Sequence, residues 1–404
     1  MKEHEKKPLS LYVHIPFCKE KCRYCDFLSF ALCDYSLHRQ YVHALCNEIE
    51  VYRYVAERYI VRTIFFGGGT PSFIDAAFIT QIMDKIRDVF LLDDDCEITI
   101  EGNPDSLTGE KLKAYREVGV NRLSIGLQSA NDEMLQKLGR VHNYDQFIAA
   151  YSNARQAGFT NINVDVMSGL PGESAESYVR TLAKVVKLQP EHISAYSLIV
   201  EEDTPLYDDE AMLSMLPSEE EERKLYAKTK MLLKNSGYER YEISNYAKTG
   251  FLCRHNKIYW TMMPYLGFGL GASSFMEVML DPKHTKKLRF HGVERMDEYI
   301  GRFSRFNYTY EEDLFDYIRE HYEDVTMLKR KDMMEEYMFL GLRLMNGVSK
   351  SEFQKCFGVS MENVYGSVIE KYEKQGLLIN DTEHICLTDA GIDVSNVVMA
   401  EFLL

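Results

Sequence analysis

The chain has 404 residues, enough for a large core and one smaller domain. Its 47 Lys/Arg against 62 Asp/Glu give a net charge of −15, which argues against a dedicated nucleic-acid binder, because that affinity rests on cations neutralising phosphates. Hydrophobic residues make up 46%, ordinary for a globular protein, and no uninterrupted apolar run approaches the ~18 residues of a membrane span.

The start, Met1 to Pro8, is too charged for a signal-peptide core. A strand is predicted over Leu9–Ile15, running into His14-Ile15-Pro16-Phe17-Cys18-Lys19-Glu20-Lys21-Cys22-Arg23-Tyr24-Cys25. This C-x3-C-x2-C spacing puts three soft thiolates in one short loop, and thiolates select Fe–S clusters, zinc or Cu(I). No second pair of cysteines or histidines follows to complete a structural zinc site. Nine cysteines, sparse and odd in number, do not make a secreted disulfide framework. Cys33, Cys46, Cys96, Cys253, Cys356 and Cys386 are scattered singly, as buried small hydrophobes are. A [4Fe–4S] cubane normally takes four protein ligands. Three leave one iron open to a small molecule, as a catalytic zinc keeps one position free. Such a cluster is expected in the reducing cytoplasm.

Next, β-rich runs alternate with helical patterns. Strands are predicted at Val61–Phe66, Glu97–Glu101, Arg122–Leu127, Thr160–Val166 and Ile193–Ile199. Helices are predicted on the stripe Leu37, Tyr41, Leu45, Ile49 and over Ala76–Phe90, Gly109–Val118, Tyr144–Ala157 and Ala175–Leu188. This alternation means βαβ units and a parallel sheet, in which ligands sit at the carboxyl ends of strands. The second strand ends in Gly67-Gly68-Gly69-Thr70-Pro71-Ser72, where glycines let backbone N–H groups approach a ligand. It is neither a Walker A loop nor a G-x-G-x-x-G turn. Glu101-Gly102-Asn103-Pro104 ends the third strand, Gln128 and then Leu138-Gly139-Arg140 follow the fourth, and Asp165 lies on the fifth. An arginine there offers a bidentate partner to a carboxylate.

These features together resemble the radical S-adenosylmethionine (SAM) superfamily over roughly residues 9–200. The resemblance implies an α/β fold, an incomplete (β/α)6 barrel, with a [4Fe–4S] cluster on Cys18, Cys22 and Cys25. Its open iron would chelate the amino and carboxylate groups of SAM, and an electron from the cluster would split the S–C5′ bond to a 5′-deoxyadenosyl radical. The glycine turn with Gly68, Gly69 and Thr70 resembles the loop that holds the SAM amino group. By similarity to the oxygen-independent coproporphyrinogen oxidase group, Glu101, Gln128, Arg140 and Asp165 would bind SAM, with Tyr12 and Tyr24 flanking the cluster and adenine.

Further on, Ser218 and Glu221 form a capping box, and the acidic run Glu219-Glu220-Glu221 suits the positive end of a helix. The segment Cys253-Arg254-His255-Asn256-Lys257-Ile258-Tyr259-Trp260 holds the chain's single Trp. A histidine among such rings suits a haem, imidazole to iron and rings over the macrocycle; it equally suits an aromatic core around a hydrogen-bonded histidine. From about residue 331, three helical patterns (332–345, 349–357, 361–376) and a hairpin at Asn380–Glu383 resemble a winged helix. Its 6 Lys/Arg against 12 Asp/Glu are the wrong sign for DNA, so a packing or partner domain is expected. The chain is thus expected to divide at 1–215, 216–330 and 331–404, an extension and a small winged-helix-like α+β domain following the barrel.

H-N-x-x-Y-W and the run Tyr265 to Ala272 resemble the HemW haem chaperones, cousins of the dehydrogenase HemN; in that family the histidine, here His255, is implicated in binding haem. Phe27 stands where the dehydrogenase signature has a fourth cysteine, and only 17 residues precede Cys18; both favour the chaperones. Ser273 stands where relatives often have His, which leaves the haem role on His255 alone. The resemblance implies a protein that binds [4Fe–4S], SAM and haem and delivers haem to acceptor haemoproteins, membrane-bound respiratory subunits among them. It also implies an electron donor such as flavodoxin or ferredoxin, no nucleic acid, and leaves room for a homodimer. The competing readings are radical oxidative decarboxylation of coproporphyrinogen III or chemistry on another tetrapyrrole, and, from a different class, a cluster-bearing regulator acting through the C-terminal domain.

Overall fold

In the computed structural model, which describes residues 6–31, 33–281, 284–305 and 313–404, successive βα steps build the first half of the chain. The strands β1 (Lys7–Ile15), β2 (Tyr59–Gly68), β3 (Leu92–Gly102), β4 (Arg122–Gln128), β5 (Ile162–Ser168) and β6 (His192–Ser197) each run parallel to the next. Between them lie α1 (Tyr35–Val51), α2 (Ala76–Val89), α3 (Gly109–Glu117), α4 (Tyr144–Gln156) and α5 (Ala175–Lys187). Each helix starts on a side-chain cap, from Asp34, Asp75, Thr108, Asn143 and Ser174, which accepts an otherwise orphaned backbone N–H. The predicted elements hold with small shifts. The fifth strand begins at Ile162 rather than Thr160, and the sixth stops at Ser197, after which the Leu198 N–H turns to the Ser168 carbonyl and Ile199 is left 69% exposed.

After β6 come α6 (Glu219–Asn235), started by the reciprocal Ser218/Glu221 bonds, and the short strands β7 (Glu239–Arg240) and β8 (Asn245–Ala247), antiparallel on the β6 side. The helix α7 (Arg254–Trp260) carries the chain back to the other edge. There β9 (Tyr265–Phe268) lies parallel to β1, and β10 (Ser273–Asp281), β11 (His284–His291) and β12 (Glu323–Met327) follow antiparallel. The twelve strands run in the order β12-β11-β10-β9-β1-β2-β3-β4-β5-β6-β8-β7. The sheet is open, an incomplete barrel with antiparallel strands at both edges.

Both faces of the parallel strands are covered, as this topology requires. On β1, Leu9, Leu11, Val13 and Ile15 join the hydrophobic core with Tyr41, Leu45 and Ile49 of α1. The alternate residues Ser10, Tyr12 and His14 face the other way. The register carries that inner face across the sheet: Tyr12 stands beside Phe65, Phe65 beside Thr99, Thr99 beside Arg122, and further along Ser124 beside Asn163 and Asn163 beside His192. Polar and aromatic groups therefore line the inside.

The glycine run Tyr265 to Ala272 is anchored to α1 by a buried carboxylate. Glu48 accepts hydrogen bonds from the Gly269 N–H (2.8 Å), the Tyr299 hydroxyl (2.6 Å) and the Tyr322 hydroxyl (2.9 Å). Burial pushes its carboxyl up to about 7 despite these donors. The folded protein thus holds this proton more tightly than the unfolded chain, and stability falls as pH rises from the ordinary carboxylate range through 7. Glu48→Gln, which keeps an acceptor, should remove about 3 kcal/mol of that decline between pH 4 and 8. Urea unfolding of both proteins at the two pH values measures it.

The C-terminal segment forms α8 (Arg330–Gly341), α9 (Lys350–Phe357), α10 (Met361–Lys374) and the hairpin β13 (Leu378–Asn380) and β14 (His384–Leu387), joined by Val348–Ser349 as a third strand. It has its own hydrophobic cluster, including Met338, Phe353, Tyr365, Ile385 and Phe402. The helix α8 stops short of the predicted residue 345. Leu344 pairs instead with Glu242, and the Met345 N–H donates to the Tyr241 carbonyl. Among the described residues no helix is long and apolar enough to cross a membrane.

Candidate functional site

Cys18 ends a two-residue strand, Phe17–Cys18, paired in parallel with Phe30–Ala31, which closes the loop bearing Cys22 and Cys25. From outside, the Arg23 N–H donates to the Leu138 carbonyl (3.0 Å), the Leu206 N–H to the Arg23 carbonyl (2.8 Å), and the Arg23 guanidinium pairs with Asp209 (2.7 Å). From inside, the Thr70 N–H donates to the Phe17 carbonyl at 2.8 Å. A Cβ on Gly69 would lie 2.9 Å from both N and O of Phe17 and 3.0 Å from Cys18 Sγ; one on Gly68, at φ 110°, would lie 2.6 Å from the His14 ring. The turn must be glycine to come this close.

All three thiols are free. Burial pushes Cys18 and Cys25 up, Cys25 to about 11, and the neighbouring cysteines act in the same direction. Such thiols become thiolates only when a metal holds them deprotonated. Among the described residues no three His, Cys, Asp or Glu side chains converge on a single metal ion. A polynuclear cluster takes one thiolate per iron, and three separate thiols on one short loop fit it.

A chain of polar contacts links the first two cysteines. Cys18 Sγ lies 3.5 Å from Thr70 Oγ1, Asn103 Nδ2 donates to Thr70 Oγ1 (3.2 Å), and Arg140 Nη2 donates to Asn103 Oδ1 and the Gly126 carbonyl (both 2.6 Å). Arg140 Nη1 closes it, 3.5 Å from Cys22 Sγ. Arg140 Nε is buried without a partner, a donor left for an anion. A Cβ on Gly126 would be 3.1 Å from both Arg140 Nη2 and Gln128 Nε2; Gln128 itself sits at φ 69°. Tyr24 packs beside the cluster of Met134, Leu138, Met167 and Leu206, near the Arg140 guanidinium. Glu101 Oε2 and the Tyr12 ring meet over Gly67, 3.0 and 3.1 Å from its would-be Cβ. Burial first, and the nearby Asp165 second, push Glu101 up to about 8. Asp165 is also raised by burial, although Asn163 (2.8 Å) and Ser124 (3.0 Å) donate to it.

The structure therefore brings Gly69, Thr70 and Arg140 against Cys18 and Cys22, sets Gly68, Glu101 and Gln128 at the ends of β2, β3 and β4, and places Tyr12 and Asp165 within their strands near Glu101. Sequence reasoning missed Asn103 as the bridge. It also missed Lys111, whose ammonium donates to the carbonyls of Ser72 (2.6 Å), Phe73 (3.1 Å) and Ile74 (2.9 Å) and fixes the turn behind Thr70.

His255 lies on the inner face at the opposite end of the strands, 1% exposed, with Nδ1 2.8 Å from Thr63 Oγ1 and Nε2 3.0 Å from the Tyr259 hydroxyl. Glu97 holds the helix start, accepting from the backbone N–H groups of Arg254 (3.2 Å) and His255 (3.0 Å). Burial first, and Arg122 second, lower the imidazole to about 3. Neither ring nitrogen is left over for an iron in this arrangement, which is that of a hydrogen-bonded core histidine. Ser273 opens β10 in an exposed position, and Phe27 is 62% exposed on the cysteine loop.

An open parallel barrel carrying three free thiols on the loop after its first strand defines a radical SAM protein, and residues 12–185 match the model of the Radical SAM superfamily. Residues 328–394 match the HemN C-terminal domain. The chain is 36% identical to the Heme chaperone HemW of Bacillus subtilis over 98% of its own length and 99% of that relative's. It is 39% identical to the Heme chaperone HemW of Escherichia coli over 66% of this chain and 69% of the relative. It belongs to the HemW family. Among solved structures, coproporphyrinogen III oxidase (HemN) from Escherichia coli shares the fold, with a TM-score of 0.78 at 23% identity over 100% of this chain and 91% of that one.

Proposed function

We infer that this chain is a radical SAM-type haem chaperone, which binds a [4Fe–4S] cluster, SAM and haem and passes haem to an acceptor haemoprotein. Identity to HemW chaperones across nearly the whole of both chains carries this reading. In it, Cys18, Cys22 and Cys25 hold the cluster, and the turn with Gly68, Gly69 and Thr70 lies against the SAM amino group. Arg140 takes the SAM carboxylate, with Glu101, Gln128 and Asp165 on the rest of the molecule and Tyr12 and Tyr24 as flanking rings. The orphaned Arg140 Nε and the buried, proton-retaining Glu101 support these roles. When bound, the cluster supplies an electron to SAM. The chain divides at 215 and 330, a boundary that the separate C-terminal core supports. A small acidic electron-transfer protein of the flavodoxin or ferredoxin kind is proposed as donor, facing the exposed Lys21 beside Cys22, and the acceptors include membrane-bound respiratory subunits. The unbridged thiols support a cytoplasmic setting.

Arg140→Lys keeps the charge but loses the planar fork that reaches Asn103, Gly126 and Cys22 together. SAM affinity should fall about ten- to a hundredfold, with iron content near wild type, measured by equilibrium dialysis and iron assay. The function itself is tested by anaerobic haem titration of the reconstituted protein, followed by transfer to an apo-haemoprotein and, in parallel, by turnover with coproporphyrinogen III. Saturable binding with transfer and no porphyrinogen product is expected. Vinyl groups and CO2 formed from coproporphyrinogen III would replace the chaperone with the enzyme.

A further inference from the structure

Asp165 is held by a chain of buried side chains whose hydrogens can be placed one after another. Asn163 Nδ2 donates to Asp165 Oδ1 and to Ser124 Oγ, both at 2.8 Å, and Ser124 Oγ donates to Asp165 Oδ2 at 3.0 Å. Turned the other way, the amide would set its oxygen against a carboxylate oxygen, so its Oδ1 faces His192 and Ser194. There it accepts from Ser194 Oγ at 3.1 Å and from His192 Nδ1 at 2.6 Å. Nδ1 therefore carries the ring hydrogen, because an amide oxygen has none to give. His192 Nε2 is left as an acceptor, and the Tyr241 hydroxyl donates to it at 2.9 Å. Burial first, and Arg122 second, hold the imidazole well below its ordinary range, so it stays neutral in this one tautomer.

The sheet makes this chain continuous. Ser124, Asn163 and His192 stand side by side across β4, β5 and β6, and Asp165 stands beside Ser194 two residues nearer the strand ends. Ser124, Asn163, His192, Ser194 and Tyr241 are all buried, so water does not compete for their bonds. Tyr241 is fixed in turn through its backbone: its N–H donates to the Asn245 carbonyl (3.2 Å) and its carbonyl accepts from the Met345 N–H (3.0 Å). From Tyr241 through His192 and Asn163, every donor points toward the carboxylate. Both Asp165 oxygens are taken by donors, so the carboxylate turns only by breaking one of these bonds.

Resting on the reading above that Asp165 binds SAM, we propose that His192 and Tyr241 are positioning residues: through Asn163 they fix the orientation in which the Asp165 carboxylate accepts the ribose hydroxyls of SAM. An aspartate held as an acceptor needs a donor from its ligand, and the ribose hydroxyls supply two once the amino and carboxylate groups are met by the glycine turn and Arg140. His192 acts on SAM only through the bond it makes to Asn163, and Tyr241 acts only by keeping the hydrogen of His192 on Nδ1.

The test measures, by equilibrium dialysis on the full, cluster-loaded chain, affinity for SAM and for the analogue whose ribose lacks both hydroxyls. Wild type should prefer SAM, and Asp165→Asn should lose much of that preference. His192→Leu should bind SAM about tenfold more weakly and the analogue as wild type does, with unchanged iron content and circular dichroism. His192→Asn places an amide N–H where Nδ1 was, keeping the donor to Asn163 and giving up the acceptor for Tyr241. It should recover SAM binding to within about threefold of wild type, matching Tyr241→Phe, and Tyr241→Phe added to His192→Asn should change nothing more. If His192→Leu does not fold, Tyr241→Phe carries the same comparison of the two ligands. Equal weakening toward SAM and the analogue, an unchanged SAM affinity, or a His192→Asn no better than His192→Leu would overturn the positioning role. A wild type that binds the two ligands equally would instead overturn the reading of Asp165, and this proposal with it, before any variant is compared.

Discussion

Cys22→Ala is expected to fold and to reconstitute with almost no iron or acid-labile sulfide, while Cys356→Ala reconstitutes like wild type. The two cysteines differ in setting, not in chemistry. Cys356 is exposed and alone on α9. Cys22 lies in the loop tied at both ends by Phe17–Cys18 and Phe30–Ala31, with the Cys25 N–H donating to its carbonyl at 3.2 Å and Arg140 against its sulfur. Removing the sulfur leaves two thiols, too few to anchor three corners of a cubane. Iron and sulfide assays after anaerobic reconstitution decide it, and full retention in Cys22→Ala would move the cluster elsewhere in the chain.

Gly69→Val should be nearly as damaging, although the new side chain carries no charge and touches no cofactor. Its Cβ would press on the backbone N and O of Phe17 and on Cys18 Sγ, all within 3.0 Å. Backbone atoms cannot rotate away, so the strand that positions Cys18 must shift, at a cost of about 1–3 kcal/mol. Cluster occupancy and SAM affinity should each fall about tenfold or more, as a misplaced contact of this kind does. Gly109→Ala provides the contrast: nothing lies within 4 Å of its Cβ at the start of α3, and it should raise stability by up to about 1 kcal/mol. Iron content, dialysis with SAM and urea unfolding on the three proteins separate the effects, and a Gly69→Val protein with normal iron and SAM binding would show that the turn yields more easily than its contacts imply.

The strands and helices were legible because they repeat locally. Alternation marks Leu9, Leu11, Val13 and Ile15 as one face, and caps such as Ser218 announce a helix within four residues. The cysteine loop was legible from spacing alone. Thr63 and Glu97 were half visible: each stands two or four residues from Phe65 or Glu101 on the same inward face. Their partner His255 is 192 residues from Thr63 and 158 from Glu97, and no local pattern announces that meeting. Asn103 was quoted in a motif but not as the link between Thr70 and Arg140, and Lys111 reads as an ordinary surface helix lysine until the fold lays three carbonyls over it. The end of α8 failed for the same reason, since its last backbone groups find partners at residues 241 and 242.

The separate hydrophobic cluster of residues 338–402 has a consequence for how the molecule comes apart. The two cores are distinct, linked by backbone bonds at residues 241–242, by the Arg289–Glu336 pair at 2.6 and 2.7 Å, by Lys230 and Arg240 to Asp389 and by Arg343 over the Trp260 ring at 4.4 Å, and they should unfold as two cooperative units rather than one. A single midpoint for the whole chain would then average two equilibria. Amide hydrogen exchange, read segment by segment, would show the C-terminal helices opening while the strands of the barrel stay protected, so any measured loss of stability has to be assigned to its own core first.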